Sequence, residues 1–245
     1  MKASPQMQAR LLDLLQLDTR LTQLDHQARS LPELTDIARL EKTAGDLDAE
    51  VVRTETALSD LQREVARAEA AVQQVRDRAA RDQDRLDAGA GTSKSLQGLQ
   101  HELGSLARRQ AVLEDEELEV MERAEVAQAQ AQEAARVRDE HGAQLAQLRA
   151  ARDEKLAVVS AERETVASGR DAIVGELSPE LVALYERIRA QRGTGAAALV
   201  QRRCGGCRLE MNAVERGRVK AAAEDEVLRC EECGRILVRT EESGL

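Results

Sequence analysis

A run of positions spaced alternately by four and three residues constrains this chain more than any other feature. Leu47, Val51, Thr54, Leu58, Leu61, Val65, Ala68, Val72, Val75 and Ala79 form the run, and Asp82 and Leu86 continue it. Arg, Glu, Asp and Gln fill the positions between, and no Pro or Gly falls within residues 46–88. A mean spacing of 3.5 residues keeps one apolar stripe in register with a partner only if two helices wind around each other with a left hand. A continuous helix over this span is about 65 Å long at 1.5 Å per residue.

The run stops at Ala88-Gly89-Ala90-Gly91-Thr92-Ser93. Two glycines followed by hydroxyl side chains read as a turn and a new helix cap. The spacing resumes at Leu96, Leu99, Leu103, Leu106, Leu113, Val120, Ala124, Ala127, Ala131 and Ala134. It slips around Val137 and again, as a stutter, between Leu148 and Leu156, before Val159 and Val166 carry it towards Ile173. Two heptad arms joined by a short loop fold most simply as an antiparallel hairpin. Leu14, Leu17, Leu21 and Leu24 form a separate stripe, and Leu31-Pro32-Glu33 reads as a break. The return arm is the longer one, so this first helix is expected on its overhang. The Ala-rich stretch buries little area per residue, which predicts a weakly held middle. The expected fold class is mainly α: a coiled-coil hairpin over residues 1–177, with its tip near 88–95, and a small α+β module over 178–245.

Composition supports this. There is no Phe or Trp and one Tyr, Tyr185, while 33% of residues are charged; a compact core of this size ordinarily uses aromatics. The net charge of −9 argues against a wholly basic nucleic-acid binder, so any polyanion contact needs a local patch. No apolar run approaches the roughly 20 residues of a membrane span. The first residues lack the unbroken apolar core of a signal peptide, so a cytoplasmic location is expected.

The module after residue 178 carries the chemistry. Ser178-Pro179-Glu180 opens a helix with Leu181, Leu184, Tyr185 and Ile188 on one stripe, and Gly193-Thr194-Gly195 closes it. A strand is expected over 197–201 and another over 236–238. Between them stand Cys204-Gly205-Gly206-Cys207 and, after 22 residues, Cys230-Glu231-Glu232-Cys233-Gly234. Two residues between cysteines let the backbone curl so that both sulfurs reach one ion, and Gly205, Gly206 and Gly234 are expected to supply the unusual backbone angles. Cys204, Cys207, Cys230 and Cys233 together close a tetrahedral shell around one structural Zn²⁺, with no position left for substrate. Iron and a labile disulfide pair are the alternatives. Asn212-Ala213-Val214-Glu215 resembles a capping box, so a helix is expected over about 213–223. The module shows no large aliphatic core, which predicts that the metal supplies much of its folding free energy.

Three segments carry a resemblance: Tyr185–Arg189 (YERIR), Cys204–Arg208 (CGGCR) and Cys230–Leu237 (CEECGRIL). They resemble a bacterial family that joins an N-terminal coiled-coil hairpin to a four-cysteine zinc ribbon. Residues 92–102 also resemble that family's hairpin-tip signature, which carries an acidic residue and an aromatic where this chain has Ser95 and Leu96. The resemblance implies an adapter role. Some members are implicated in flagellar or type III secretion as chaperone-like adapters, and in RNA or DNA binding.

Two functional readings remain from the residues themselves. Arg202, Arg203, Arg208, Arg216, Arg218 and Lys220 stand against only Glu210 and Glu215, a local +4 suited to phosphates. The module lacks aromatics for base stacking, however, and a protein-binding adapter is favoured on charge. Thr92, Ser93, Lys94, Gln97 and Gln100 are the candidate partner contacts at the hairpin tip. A monomeric hairpin and a dimer both remain open. Enzymatic activity is not expected: His26, His101 and His141 are scattered on helices, and no phosphate-cradling loop or nucleophile elbow occurs.

Overall fold

The computed structural model describes residues 1–89 and 91–245; Ala90, in the expected turn, lies outside the described residues. Among the described residues five helices form: α1 (Pro5–Arg29), α2 (Pro32–Asp87), α3 (Ser93–Glu176), α4 (Pro179–Arg192) and α5 (Ala213–Ala221). The same residues hold four short strands, β1 (Ala196–Val200), β2 (Arg203–Cys204), β3 (Leu228–Arg229) and β4 (Ile236–Val238), and a 3₁₀ turn, Glu241–Ser243. The chain divides into two compact units, Thr35–Arg149 and Met1–Leu34 with Ala150–Leu245.

In the first unit α2 and α3 run antiparallel. Arg149 bonds Glu41, His141 bonds Thr43 Oγ1 at 2.8 Å, Arg123 faces Glu64 and Arg76 bonds Glu114, so the number on α3 falls as that on α2 rises. Every expected seam position of α2 is buried or half-buried, with Val51, Val72 and Asp82 the most enclosed. Asp82 is tolerated there because Arg85 and Arg78 neutralise it. The seam of α3 passes through the expected slip near Val137, where Arg138 and His141 take half-buried positions. His141 is therefore a seam residue hydrogen-bonded across the hairpin, not the surface histidine that its isolation suggests. At the tip Thr92 caps α3: its hydroxyl accepts the Ser95 N–H at 3.3 Å, and its carbonyl accepts the Leu96 N–H. Thr92, Ser93, Lys94, Gln97 and Gln100 are all exposed.

In the second unit α1 lies antiparallel on the end of α3, as the overhang required. Arg163 bonds Asp25, Arg20 bonds Glu162 and Arg10 bonds Glu176. Leu11, Leu14, Ile173, Leu177, Leu181, Tyr185 and Ile188 form one core together with Ile236 and Val238. β1 and β4 pair in parallel at the centre of the sheet order β2-β1-β4-β3. Because strand side chains alternate, Ala196, Ile236 and Val238 face the helices, while Ala197, Leu199 and Leu237 face a second core with Met211, Val219, Leu228 and the cysteines. The expectation that the ribbon lacks an aliphatic core is thereby overturned. Its apolar residues are scattered in sequence and assemble only when the strands pair. The chain enters β1 past Gly195, where a Cβ would stand 2.5 Å from the Tyr185 carbonyl oxygen, so no other residue fits.

Candidate metal centre

Two knuckles of matching construction bring the four cysteines together. In the first, Arg208 N–H donates to the Cys204 carbonyl at 2.7 Å, and Cys204 N–H donates to the Leu209 carbonyl at 3.1 Å. In the second, Gly234 N–H donates to the Cys230 carbonyl and Cys230 N–H to the Arg235 carbonyl, both at 2.9 Å. Arg208 and Gly234 are thus equivalent, and both have a left-handed backbone, with φ of 65° and 74°. This corrects the expectation for Gly205 and Gly206, neither of which has positive φ. They are glycines for room: a Cβ on Gly205 would lie 3.0 Å from the Ala198 carbonyl oxygen, and one on Gly206 would lie 2.6 Å from Arg235 Cδ.

The sulfurs of Cys204 and Cys233 are 3.8 Å apart, as are those of Cys207 and Cys230, and all four lie within 4.8 Å of one another. A tetrahedral shell with bonds of about 2.3 Å places its sulfurs about 3.8 Å apart, whereas a disulfide needs about 2.05 Å. The four cysteines are free thiols, three of them buried. Spacing and soft donor chemistry both fit one tetrahedrally held ion. Burial pushes the Cys204 and Cys230 thiols up. Burial presses Cys233 the same way, but hydrogen bonds led by the Arg235 backbone N–H bring it down to about 7.

Glu215 has a role that the sequence did not announce. Asn212 caps α5 by accepting the Glu215 N–H at 2.8 Å, but the Glu215 carboxylate does not close the capping box. It is 3% exposed and accepts the Glu231 N–H at 3.2 Å, which ties α5 to the second knuckle. α5 ends at Ala221, two residues before the expected limit.

The basic candidates do not form one free patch. Arg203 faces Glu210 at 3.7 Å and Arg218 pairs with Glu231 at 3.1 Å. Arg216 is half-buried, and Arg202, Arg208 and Lys220 are exposed without an ion-pair partner among the described residues. Arg202 and Gln201 form the β1–β2 turn, both with positive φ. The C-terminal turn holds them there: the Gln201 and Arg202 N–H groups donate to the carbonyls of Glu242 and Ser243, and the Thr240 and Ser243 hydroxyls donate to the Leu199 carbonyl.

A buried polar cluster beside α4 was also invisible in sequence. Asp18, 2% exposed, accepts from the Tyr185 hydroxyl at 2.7 Å and from Arg170 Nε at 2.7 Å, and forms an ion pair with Arg189 at 3.2 Å. Glu186 bonds both arginines. Burial, and then the Asp18 contact, push the Tyr185 hydroxyl well above its ordinary range. The one available signal was Asp18 falling between Leu14, Leu17, Leu21 and Leu24 on an otherwise apolar stripe.

Comparison with known proteins agrees with this architecture. Residues 14–193 match the family described as the CT398-like coiled coil hairpin domain, and residues 203–237 match the C4-type zinc ribbon domain. An uncharacterised protein of Mycobacterium tuberculosis is 43% identical over 241 residues, 98% of each chain. One from Mycobacterium leprae is 31% identical over 220 residues, covering 90% of this chain and 95% of that one. A solved structure from Mycobacterium smegmatis superposes with a TM-score of 0.78 at 40% identity, over 98% of this chain and all of the other. CT398 from Chlamydia trachomatis shares the fold, with a TM-score of 0.60 at 17% identity over 96% and 98% of the two chains.

Proposed function

The chain belongs to the CT398-like coiled-coil hairpin family, and from that premise we propose that it is a non-catalytic adapter that binds protein partners along its hairpin and carries one structural Zn²⁺ in its ribbon. The observation that carries the reading is the number of large apolar side chains left in solvent on α2 and α3, Val52, Val112, Leu118, Met121 and Val126 among them. Solvated helix faces do not require such residues, whereas partner helices do. The four-sulfur shell supports the zinc assignment: thiolates fill every tetrahedral position, which suits a scaffold and offers no site for a bound water. Reduced cysteines of this kind fit a cytoplasmic setting. The hairpin tip, with exposed Thr92, Ser93, Lys94, Gln97 and Gln100, is a further contact surface on this reading.

The test is recovery of the tagged full chain from its native cells with and without nuclease, together with metal analysis of the purified protein. One zinc per chain and a protein that survives nuclease treatment are expected. Recovery of nucleic acid alone would favour the second reading, in which Arg202, Arg208 and Lys220 contact phosphates. That reading rests on Arg208, a side chain kept at a left-handed position where its equivalent is Gly234. Its mark is binding that falls steeply with salt.

A further inference from the structure

The middle of the hairpin carries a charge at odds with the rest of the chain. Residues 46–69 of α2 and 113–133 of α3 hold fifteen carboxylates against four arginines, a net −11, which exceeds the −9 of the whole protein. Ten of the fifteen, including Glu116, Glu117, Glu119 and Glu122, have no ion-pair partner among the described residues. Like charges at this density repel one another and weaken the helices that carry them.

An apolar groove runs through the same region. Two neighbouring depressions share Val126 and Gln130 and so form one channel. Leu47, Thr54 and Leu61 line it from α2, and Val126, Ala129 and Val137 line it from α3. The α2 positions span about 21 Å, or four helical turns. The groove exists because Ala127 and Ala131 fill the seam beneath it with methyl groups only, and Val126 above them remains 58% exposed.

We propose that this groove is a docking site for a basic amphipathic helix of a partner protein, which would lie along α2 and α3 as a third strand of the coiled coil. The inference rests on the adapter reading and names the chemistry of its partner. Apolar side chains of the incoming helix fill the channel over the alanines, and its Lys and Arg residues meet the unpaired carboxylates on either side. The charge decides the occupant. A second copy of this region would set −11 against −11, and nucleic acid or an anionic membrane surface would be repelled in the same way.

The test uses the zinc-loaded full chain and a labelled peptide of about 21 residues, six turns, with Leu and Ala on one face and Lys and Arg elsewhere. A scrambled peptide of the same composition and a peptide with Glu for every basic residue serve as controls. The helical basic peptide is expected to bind at least ~10-fold tighter than either control. It should protect amides of residues 47–61 and 122–137 from exchange, and its affinity should fall as salt rises. Val126→Ser, which keeps every charge, should weaken binding about 10-fold. The combined E116Q, E117Q, E119Q and E122Q variant, which keeps the groove, should do the same at low salt. Glu116, Glu119, Glu122 and Val126 are exposed and Glu117 is half-buried, and unchanged helical circular dichroism confirms the fold of each variant. Equal binding of the scrambled peptide, protection elsewhere, or indifference to both variants would overturn the proposal. The native-cell recovery is independent of this: a partner retained equally by wild type and both variants sinks the groove and leaves the adapter standing, whereas recovery of no protein removes the adapter reading itself.

Discussion

Replacing Asp18 by Ala probes the attachment of α1 to α3 and α4 within the ribbon-bearing unit. The substitution removes a carboxylate that is 2% exposed, accepts hydrogen bonds from Tyr185 and Arg170, and forms an ion pair with Arg189. Breaking a buried ion pair by deleting one partner costs about 3–5 kcal/mol. Here Glu186 still offers a counter-charge to both guanidinium groups, so the lower end applies, about 3 kcal/mol. The Tyr185 hydroxyl, left without an acceptor, accounts for about 1 kcal/mol of that, and Tyr185→Phe alone should cost about as much. Tyr185 is the only aromatic residue in the chain, so tyrosine emission during urea unfolding reports this site and no other. A neighbouring carboxylate acceptor quenches tyrosine emission, so Asp18→Ala should brighten the folded protein as well as lower its midpoint. A loss under about 1 kcal/mol, the worth of a single ordinary hydrogen bond, with unchanged folded-state emission would refute the claim that Asp18 joins α1 to α3 and α4.

The remaining predictions concern the ribbon. Chelation should expose the Leu199, Met211, Val219 and Leu237 side of the sheet while leaving Tyr185 emission nearly unchanged, because Tyr185 packs in the core on the opposite face; a shift of Tyr185 in step with metal loss would contradict this. Arg208→Gly should raise thermal stability by up to about 1 kcal/mol by relieving the left-handed backbone, and calorimetry showing a loss would mean that its side chain holds the knuckle. Glu215→Ala should leave the Glu231 N–H without its acceptor and cost about 1–3 kcal/mol, read as faster zinc release to a competing chelator. Gly195→Ala should destabilise by more than about 2 kcal/mol, since the obstacle is backbone; unaltered unfolding would show that the α4–β1 connection can shift.

The seam of α2, the break before Pro32, the helix that begins at Pro179 and the four cysteines were legible in sequence because each follows from local rules. Periodicity marks a helix face, Pro and Gly mark ends, and paired cysteines two residues apart need only a short curl of backbone to share an ion. The overhang of the return arm even located α1. What the tertiary structure alone decided involves partners distant in the chain. Ile236, Leu237 and Val238 look alike as a run, yet strand alternation sends two to the helices and one to the knuckles. Glu215 reads as a cap residue until Glu231 arrives beside it. Asp18 reads as an interruption of a leucine stripe until Tyr185, Arg170 and Arg189 close around it from 152 to 171 residues away. A buried charge is stable only with partners in place, and no pattern along a single chain segment names partners that the fold brings in from another.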